Sequence, residues 1–343
     1  MSYSVQDVST DARSREDLAR FLASFVRDGE LPEPLEGDDQ EEVWEKRFSW
    51  WWEENPYCRD DSPRGFILYS EKDEIVGFSG FIPLDYELHG EIVPSLVATT
   101  FFVRECHRSA VIGLLSRQRE LGRRYHIIDG SPSAEMRRLL DKLGYTHAGE
   151  RFQSYFPLRG FGGIAAHSIL KKAGLSFSLP SRRELQTTHY IATSPEEMET
   201  IPSRKDDTLR RSITRESLDW LCQVGSGERS FFGYCDAKGE LIAYAIGLYK
   251  RKYGLCFCLL DEYFDFRPQE DGLGHLIRTI LDDPIGCGVA RDTDALALSV
   301  YGEESGSRPR GLRRSSFLYY QVPEGIDPRS KTCLPIEGDL ALI

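Results

Sequence analysis

The fold is decided at residues 98–115, which read ATTFFVRECHRSAVIGLL. The first six residues are β-branched, aromatic or apolar and predict the end of a strand. A short polar loop follows, and from Ile112 the apolar residues recur at helical spacing. Backbone N–H groups at the start of a helix are unpaired and carry partial positive charge, so this loop is predicted to bind an anion such as a pyrophosphate. The residues assigned to the site are Phe102, Val103, Arg104, Arg108, Ser109, Ala110, Val111, Ile112 and Gly113.

A second strand–loop–helix unit follows directly. Residues 125–129 read YHIID and predict a strand, and an apolar stripe at helical spacing runs from Met136 to Leu143. Gly144 ends this helix, because glycine is the usual residue after a helical C-terminus. Two neighbouring strands that each run into a helix leave a crevice at their C-terminal ends, where ligands bind in open α/β sheets.

The pattern around this region predicts a mixed α/β (α+β) protein with two related halves. Before it come a helix at 13–28, an aromatic-rich segment at 44–52 that either packs in the core or lines a cleft, and three strands. Residues 157–186 interrupt the pattern with Pro and Gly, and a similar order of elements then recurs without a repeat of residues. We therefore expect domains at 1–156 and 187–343, with 157–186 connecting them.

The composition excludes several classes of protein. The chain has 343 residues, with 43 Lys and Arg against 55 Asp and Glu, which gives a net charge of −12. Such an acidic chain is not expected to bind nucleic acid or an anionic membrane. No apolar run reaches the ~18 residues of a spanning helix, and the first residues lack a secretory signal, so we expect a cytoplasmic protein. Eight scattered cysteines without zinc spacing predict reduced thiols and no metal site.

The two strand–loop–helix units resemble the GNAT superfamily of acyl-CoA N-acyltransferases. The family's loop reads Gln/Arg-x-x-Gly-x-Gly/Ala, and Arg108 to Gly113 match it except that Val111 replaces the first glycine. Leu143-Gly144-Tyr145 match the family's Leu-Gly-aromatic ending. The resemblance implies tandem GNAT-like domains, each a mostly antiparallel twisted sheet with splayed central strands flanked by helices. It also implies that acetyl-CoA or another acyl-CoA binds across the splayed strands, with its pyrophosphate on the loop amides.

Two further features concern the family's proton donor and the second half. The family often places a tyrosine four residues before the glycine of its ending, where it protonates the CoA thiolate, and this chain has Leu140 there. In the second half Gln269, Gly272 and Gly274 fit the loop literally, but two acids between them would repel a pyrophosphate. Two interpretations stay open: a second acyl-CoA loop, or a structural helix start at which acids are favoured.

Candidate catalytic residues follow from the chemistry of amide formation, which needs a proton acceptor for the amine and stabilisation of the oxyanion. They are Glu105 at the strand end, His126 on the second strand and Tyr145 in the closing motif. Each also has a plainer interpretation, as a solvated loop acid, a core histidine and a core tyrosine. In the second half, Asp261, Glu262 and Tyr301 occupy corresponding strand-end positions.

The expected function is therefore acyl-CoA-dependent N-acyltransfer, with an acetyl donor and a small amine-bearing acceptor such as an amino sugar or amino acid derivative. Three alternatives stay open: a non-catalytic acyl-CoA sensor or scaffold, a transferase that uses aminoacyl-tRNA, and an interaction module without a small ligand. Val111 and Leu140 favour the sensor, whereas the acidic charge disfavours tRNA.

Overall fold

A computed structural model describes residues 2–30, 37–130, 132–157, 189–202, 209–223, 229–252, 255–283, 287, 295–302, 315–327 and 332–333. The predicted connection at 157–186 and the basic residues of 308–314 lie almost entirely outside the described residues. No helix in the described ranges is both long and apolar enough to cross a membrane. In the same ranges, no cluster of three His, Cys, Asp or Glu side chains is placed to hold a metal ion.

The first half follows the predicted order of elements. Its elements are β1 (Tyr3–Asp7), α1 (Ala12–Arg27), α2 (Glu41–Phe48) with a π-helical turn (Ser49–Glu53), β2 (Gly65–Ser70), β3 (Ile75–Leu88), β4 (Glu91–Val103), a 3₁₀ helix (Glu105–Ala110), α3 (Val111–Leu121), β5 (His126–Asp129), α4 (Ala134–Leu143) and β6 (Thr146–Pro157). Helix α4 ends as its sequence predicts, because Gly144 adopts the left-handed conformation with φ at +81°.

The second half repeats this order in part. Its elements are β7 (Tyr190–Ala192), a 3₁₀ turn (Pro195–Glu197), β8 (Leu209–Arg211), α5 (Arg215–Gln223), β9 (Arg229–Cys235), β10 (Leu241–Lys252), β11 (Leu255–Asp265), a 3₁₀ turn (Pro268–Glu270), α6 (Gly272–Asp282), β12 (Ala295–Gly302), β13 (Ser315–Gln321) and β14 (Thr332–Cys333). Both halves thus place a helix after the strand that carries the family-like loop.

All of the strands belong to one sheet. Its order is β1-β2-β3-β4-β5-β13-β6-β12-β11-β10-β9-β7, with β8 bridging β3 and β14. Most neighbours are antiparallel, and the parallel pairs are β4–β5, β11–β12 and β8–β14. Strand β13 of the second half lies between β5 and β6, and β6 of the first half pairs with β12. The mixed α/β fold with mostly antiparallel pairing is confirmed, whereas the division at 1–156 and 187–343 stays a prediction.

Helices cover both faces of the sheet. We call the face that carries Val97, Ile128 and Tyr244 the inner face, on which α1, α2 and α5 pack in one core cluster shared by both halves. The opposite, outer face packs against α3, α4 and α6. The halves meet on the inner face, where Trp50 and Trp220 stack with ring centroids 4.9 Å apart. The tryptophans at 50–52 are all buried, which supports their interpretation as core.

Candidate active site

The first strand pair of the crevice separates partway along its length. Strands β4 and β5 are paired only at Ser95–His126, Leu96–Ile127 and Val97–Ile128. Beyond this point β4 continues to Val103, and within the described residues its edge has no strand partner on that side. The splayed pair that the sequence resemblance implies is therefore present, and we call the opening beyond Val97 and Ile128 the parting.

A β-bulge lies at the parting. The register between β3 and β4 shifts so that Gly80 faces Thr99 and Ser79 faces Phe101, which leaves Thr100 as an extra residue. Thr100 has φ at +52°, a left-handed conformation that is uncommon and strained for a β-branched residue. A Cβ on Gly80 would lie 2.9 Å from the Phe78 ring, so glycine is required opposite the bulge.

The second half repeats this arrangement. Strands β11 and β12 are parallel and pair up to Leu260–Val300, and the β10–β11 register then shifts between Ile246 and Gly247. The extra residue here is Asp261. Both halves thus have a parallel strand pair that ends within three residues of a bulge, which supports their common architecture.

The loop after β4 is more helical than its sequence suggests. Residues 105–110 form a 3₁₀ helix that runs into α3, and the Val111 N–H donates to the Arg108 carbonyl. The amides of 108–113 therefore lie within helical turns, unlike our expectation that they point into a slot. The first helical N–H groups are instead near Glu105, whose own N–H donates to the Glu30 carboxylate at 2.9 Å.

Arg104 is held away from the loop. Its guanidinium donates to Asp28 at 2.9 Å, to Glu30 at 2.6 Å and to the Ser24 hydroxyl at 2.7 Å, at the C-terminal end of α1. A role for Arg104 in phosphate binding would require these bonds to break. Arg108 is the exposed cation of the loop. Its side chain is 69% exposed, and its ion pair with Glu105 is weak because the two groups are 3.6 Å apart at the surface.

The other predicted loop residues divide into a buried and an exposed set. Val103 and Ala110 are buried on the outer face, Val111 packs against the same cluster, and Phe102 packs on the inner face. The exposed residues are Arg108, Ser109, Ile112 and Gly113. Ile112 is 54% exposed, which is unusual for an apolar residue on the first turn of a helix. The assignment of these residues to acyl-CoA binding stays a prediction.

His126 is a core histidine beside the parting. It is fully buried, and desolvation lowers its pKa to about 3, so it is neutral at physiological pH. Ser95 Oγ donates to the Val93 carbonyl, so it accepts from His126 Nδ1 at 3.3 Å, and Nε2 is left as an acceptor. Within the described residues neither Nε2 nor the buried hydroxyl of Tyr86, whose ring is 4.9 Å away, has a hydrogen-bond partner.

Glu105 and Tyr145 have environments of opposite kinds. Glu105 is exposed at the start of the 3₁₀ helix, as its plainer interpretation expects. Tyr145 is buried in a cluster with Leu140 and Tyr319, where burial raises the pKa of its hydroxyl above the usual range. The described contacts do not join Glu105, His126 and Tyr145 into one constellation, and their catalytic roles stay predictions.

In the matching loop of the second half, a carboxylate from the preceding strand accepts hydrogen bonds from the loop's N–H groups. Asp265 accepts from the N–H groups of Arg267 at 2.9 Å and of Leu273 at 3.0 Å, at the start of α6. Gly272 is buried, and a Cβ there would lie 2.6 Å from Ile242. Gln269 is exposed, and Gly274 lies against the Asp271 carboxylate. These contacts favour a structural helix start for Gln269, Gly272 and Gly274 over a second acyl-CoA loop.

A buried ion pair lies directly after the second bulge, at Glu262. Arg211 Nη1 lies 2.9 Å from Glu262 Oε2, and both side chains are about 5% exposed or less. The Tyr244 hydroxyl donates to Glu262 Oε1 at 2.7 Å. Glu262 is therefore held in a buried contact within the second half.

A mixed-charge cavity lies away from the parting. Its volume is about 360 Å³, and Asp7, Arg64, Arg117 and Tyr125 are among its lining residues. Tyr125 precedes β5, so this cavity is at the end of the strands opposite to the parting. It therefore does not coincide with the predicted acyl-CoA crevice.

Comparisons with known proteins agree with this architecture. No protein-family model and no curated protein matches the sequence. Among solved structures, a conserved protein of unknown function from Enterococcus faecalis, described as a probable N-acyltransferase, aligns with a TM-score of 0.52 and 11% identity over 94% of this chain and 73% of its own. The chain shares the fold of that protein. This agrees with the resemblance to the GNAT superfamily at the level of the fold.

Two further solved structures have lower scores. N-myristoyltransferase from Saccharomyces cerevisiae with bound myristoyl-CoA aligns with a TM-score of 0.49 and 11% identity over 100% of this chain and 89% of its own. A GCN5-related N-acetyltransferase from Anabaena variabilis aligns with a TM-score of 0.48 and 11% identity over 93% and 72%. Likeness at this level does not bear on activity.

Several residues of the site were not found from the sequence. Threonine favours extended strands, so the sequence does not predict a bulge at Thr100. Its one local signal is the pair Thr99-Thr100 opposite Gly80. Asp265 precedes the loop motif and looks like an ordinary strand-end acid. Tyr86 lies at the end of a long apolar strand, and no local pattern places it beside His126.

Proposed function

We propose that this protein is an acyl-CoA-dependent N-acyltransferase that transfers a short acyl group, with acetyl as the favoured one, to a small amine-bearing acceptor. The observation that carries the proposal is the parting of β4 and β5 beyond Val97, three residues before the strained bulge at Thr100. Paired strands leave no room for a thioester, whereas among the described residues the edge of β4 beyond Val97 has no strand partner on the β5 side. A cytoplasmic location is part of the same proposal.

We assign the donor site to the first half. Its loop presents an exposed Arg108, whereas the loop of the second half is occupied by the Asp265 carboxylate. The Glu30 carboxylate accepts from the Glu105 N–H at the first helix start, but it is paired with Arg104 at 2.6 Å, and Arg108 adds an exposed cation that can attract an anion there. The second half then acts as a support for the first.

The groups on the inner face favour an uncharged amine. Bound acyl-CoA supplies the activated carbonyl and the thiolate leaving group. The hydroxyl of Ser95 and the neutral ring of His126 lie on β4 and β5 just before the parting, and the hydroxyl of Tyr86 is close by. An uncharged amine can donate to His126 Nε2 and keep its lone pair for attack. The ammonium form loses its extra proton to water before the amine enters this apolar environment. When the C–N bond forms and the C–S bond breaks, the proton that the nitrogen sheds leaves with the thiolate as the CoA thiol.

A direct test uses purified protein with acetyl-CoA and a panel of primary amines. Release of the CoA thiol together with an N-acetylated product in a mass spectrum is the expected result. Binding of acetyl-CoA without thiol release from any amine would instead support the sensor alternative, which the buried Leu140 at the family's tyrosine position favours. No binding of CoA or acetyl-CoA in calorimetry would refute the proposal.

A matched pair of variants tests the choice of half. Arg108→Glu and Gln269→Glu place the same charge at the same motif position in the two loops, and both residues are exposed. We expect Arg108→Glu to weaken acetyl-CoA binding by about tenfold or more at low salt, because an attraction becomes a repulsion. We expect Gln269→Glu to leave binding unchanged. The reverse order of effects would move the donor site to the second half.

A further inference from the structure

The two faces of the sheet differ in which part of an acyl-CoA they can meet. Helix α3 packs on the outer face through Leu114. Arg108 lies in the 3₁₀ helix just before α3, and Ile112 lies in the first turn of α3. A donor held by this helix therefore reaches the parting from the outer face. Its acyl end emerges on the inner face, where Val97, Ile128 and Phe102 belong to one packed cluster.

An aromatic wall closes the inner face at this point. The Phe102 ring stacks flat on Phe25, with centroids 4.8 Å apart and an interplanar angle of 2°, and Trp44 meets Phe102 edge-on at 6.3 Å. Phe25 and Trp44 are 5% and 2% exposed. Three packed aromatic rings therefore lie on the inner face where Phe102 follows the parting.

The wall is fixed by polar contacts behind it. Trp44 Nε1 donates to the Asp38 carbonyl at 2.7 Å, and the Arg47 guanidinium lies 4.4 Å from the centre of the Trp44 ring. Arg47 also forms a buried ion pair with Asp38 at 2.6 Å. Trp44 therefore cannot rotate to make room for an acyl chain without losing its buried hydrogen bond to the Asp38 carbonyl and its contact with the Arg47 guanidinium.

We propose that Phe102, backed by Phe25 and Trp44, is the specificity-determining residue that limits the donor to short acyl groups, from acetyl to about butanoyl. This inference rests on the proposed acyl-CoA function and names the donor class for the same site. The physical reason is that interiors are close-packed, so a longer chain has to displace well-packed rings.

The test measures binding of CoA, acetyl-CoA and hexanoyl-CoA by calorimetry in the wild type and in Phe102→Ala. In an open apolar pocket each added methylene raises affinity about fourfold, the equivalent of about 0.8 kcal/mol. We expect the wild type to show no gain from acetyl to hexanoyl. We expect Phe102→Ala to bind hexanoyl-CoA at least about tenfold more tightly than acetyl-CoA, because apolar cavities of ring size accept apolar ligands.

The neighbouring residue provides a matched control. Phe101 lies on the same strand and has the same side chain, but it packs on the outer face with the cluster of α3. We expect Phe101→Ala to keep the wild-type order of acyl-CoA affinities. Should Phe102→Ala fail to fold, Phe102→Leu removes fewer atoms and is expected to show the same change with a smaller gain for hexanoyl-CoA.

The outcomes separate this inference from the function on which it rests. Wild-type affinity that rises steadily with chain length would overturn the inference and leave the acyl-CoA function intact. An unchanged preference in the folded Phe102 variants would do the same. Absence of CoA binding in every protein would overturn the proposed function, and the inference with it.

Discussion

The buried histidine beside the parting makes the protein sensitive to acid in a predictable way. Burial lowers the pKa of His126 to about 3, whereas an unfolded chain has the usual value near 6.5. Between these values the unfolded state binds a proton that the folded state does not, so stability falls as the pH decreases from about 6.5 towards 3. The slope is about 1.4 kcal/mol per pH unit, so His126 removes about 2 kcal/mol of stability by pH 5.

The measurement is urea unfolding of the wild type and His126→Gln at several values between pH 7.5 and 5. Other groups titrate alike in both proteins, so the difference between their free energies of unfolding isolates this histidine. We expect the wild-type advantage to shrink by about 2 kcal/mol over that range. His107→Gln is the control, because its ring is only part-buried against Tyr3 and its curve should follow the wild type. Parallel curves for His126→Gln and the wild type would refute the reasoning.

Three further predictions concern the bulge and the second half. Glu262→Gln takes the carboxylate from the buried Arg211 and should lower the free energy of unfolding in urea by about 3–5 kcal/mol. Gly80→Ala places a Cβ 2.9 Å from the Phe78 ring and should destabilise the protein by about 1–3 kcal/mol and weaken acetyl-CoA binding in calorimetry. Asp265→Asn weakens the acceptor at the start of α6 and should lower the melting temperature while acetyl-CoA binding is unchanged.

The ion-pair variant and the glycine variant each have a control on the same chain. Arg267→Gln removes part-exposed ion pairs with Asp236 and Glu240 and is expected to change stability by less than about 1 kcal/mol. Gly113→Ala adds a Cβ that meets only a Val5 methyl at 3.5 Å, and alanine is favoured over glycine in a helix, so its stability should not fall. A destabilised Gly113→Ala or a neutral Gly80→Ala would contradict the contacts described here.

The sequence predicts the elements of this fold better than their partners. Helix α4 is found from its apolar stripe and from Gly144, since both signals are local and each has one physical meaning. The insertion of β13 between β5 and β6 has no local signal, because alternation places side chains on a face without specifying the neighbouring strand. Local patterns were therefore enough to predict the fold class, which is confirmed. They were not enough to predict that β13 pairs with β5 and β6.

The candidate site shows the same limit at the scale of single residues. The acids Glu270 and Asp271 raised doubt about the second loop, but the carboxylate at its helix start belongs to Asp265, which lies before the motif. In the first loop the motif predicted free amides, whereas the 3₁₀ helix from Glu105 places the helix start several residues earlier. A motif specifies which residue types are present, and the backbone conformation decides which N–H groups are free.

The insertion of β13 between β5 and β6 explains how the second half can stabilise the first half although its own loop is occupied by Asp265. Strand β5 is four residues long and pairs with β4 at only three positions, so its other edge needs a partner. That partner is β13, through Tyr319, Tyr320 and Gln321. If β5 lost this pairing, the wall of the parting opposite β4 would be a short strand with one free edge, which is marginally stable in water. The second half therefore supports the wall of the parting, where we propose that the donor binds, through β13, and its own loop can be occupied by Asp265 without loss of this pairing.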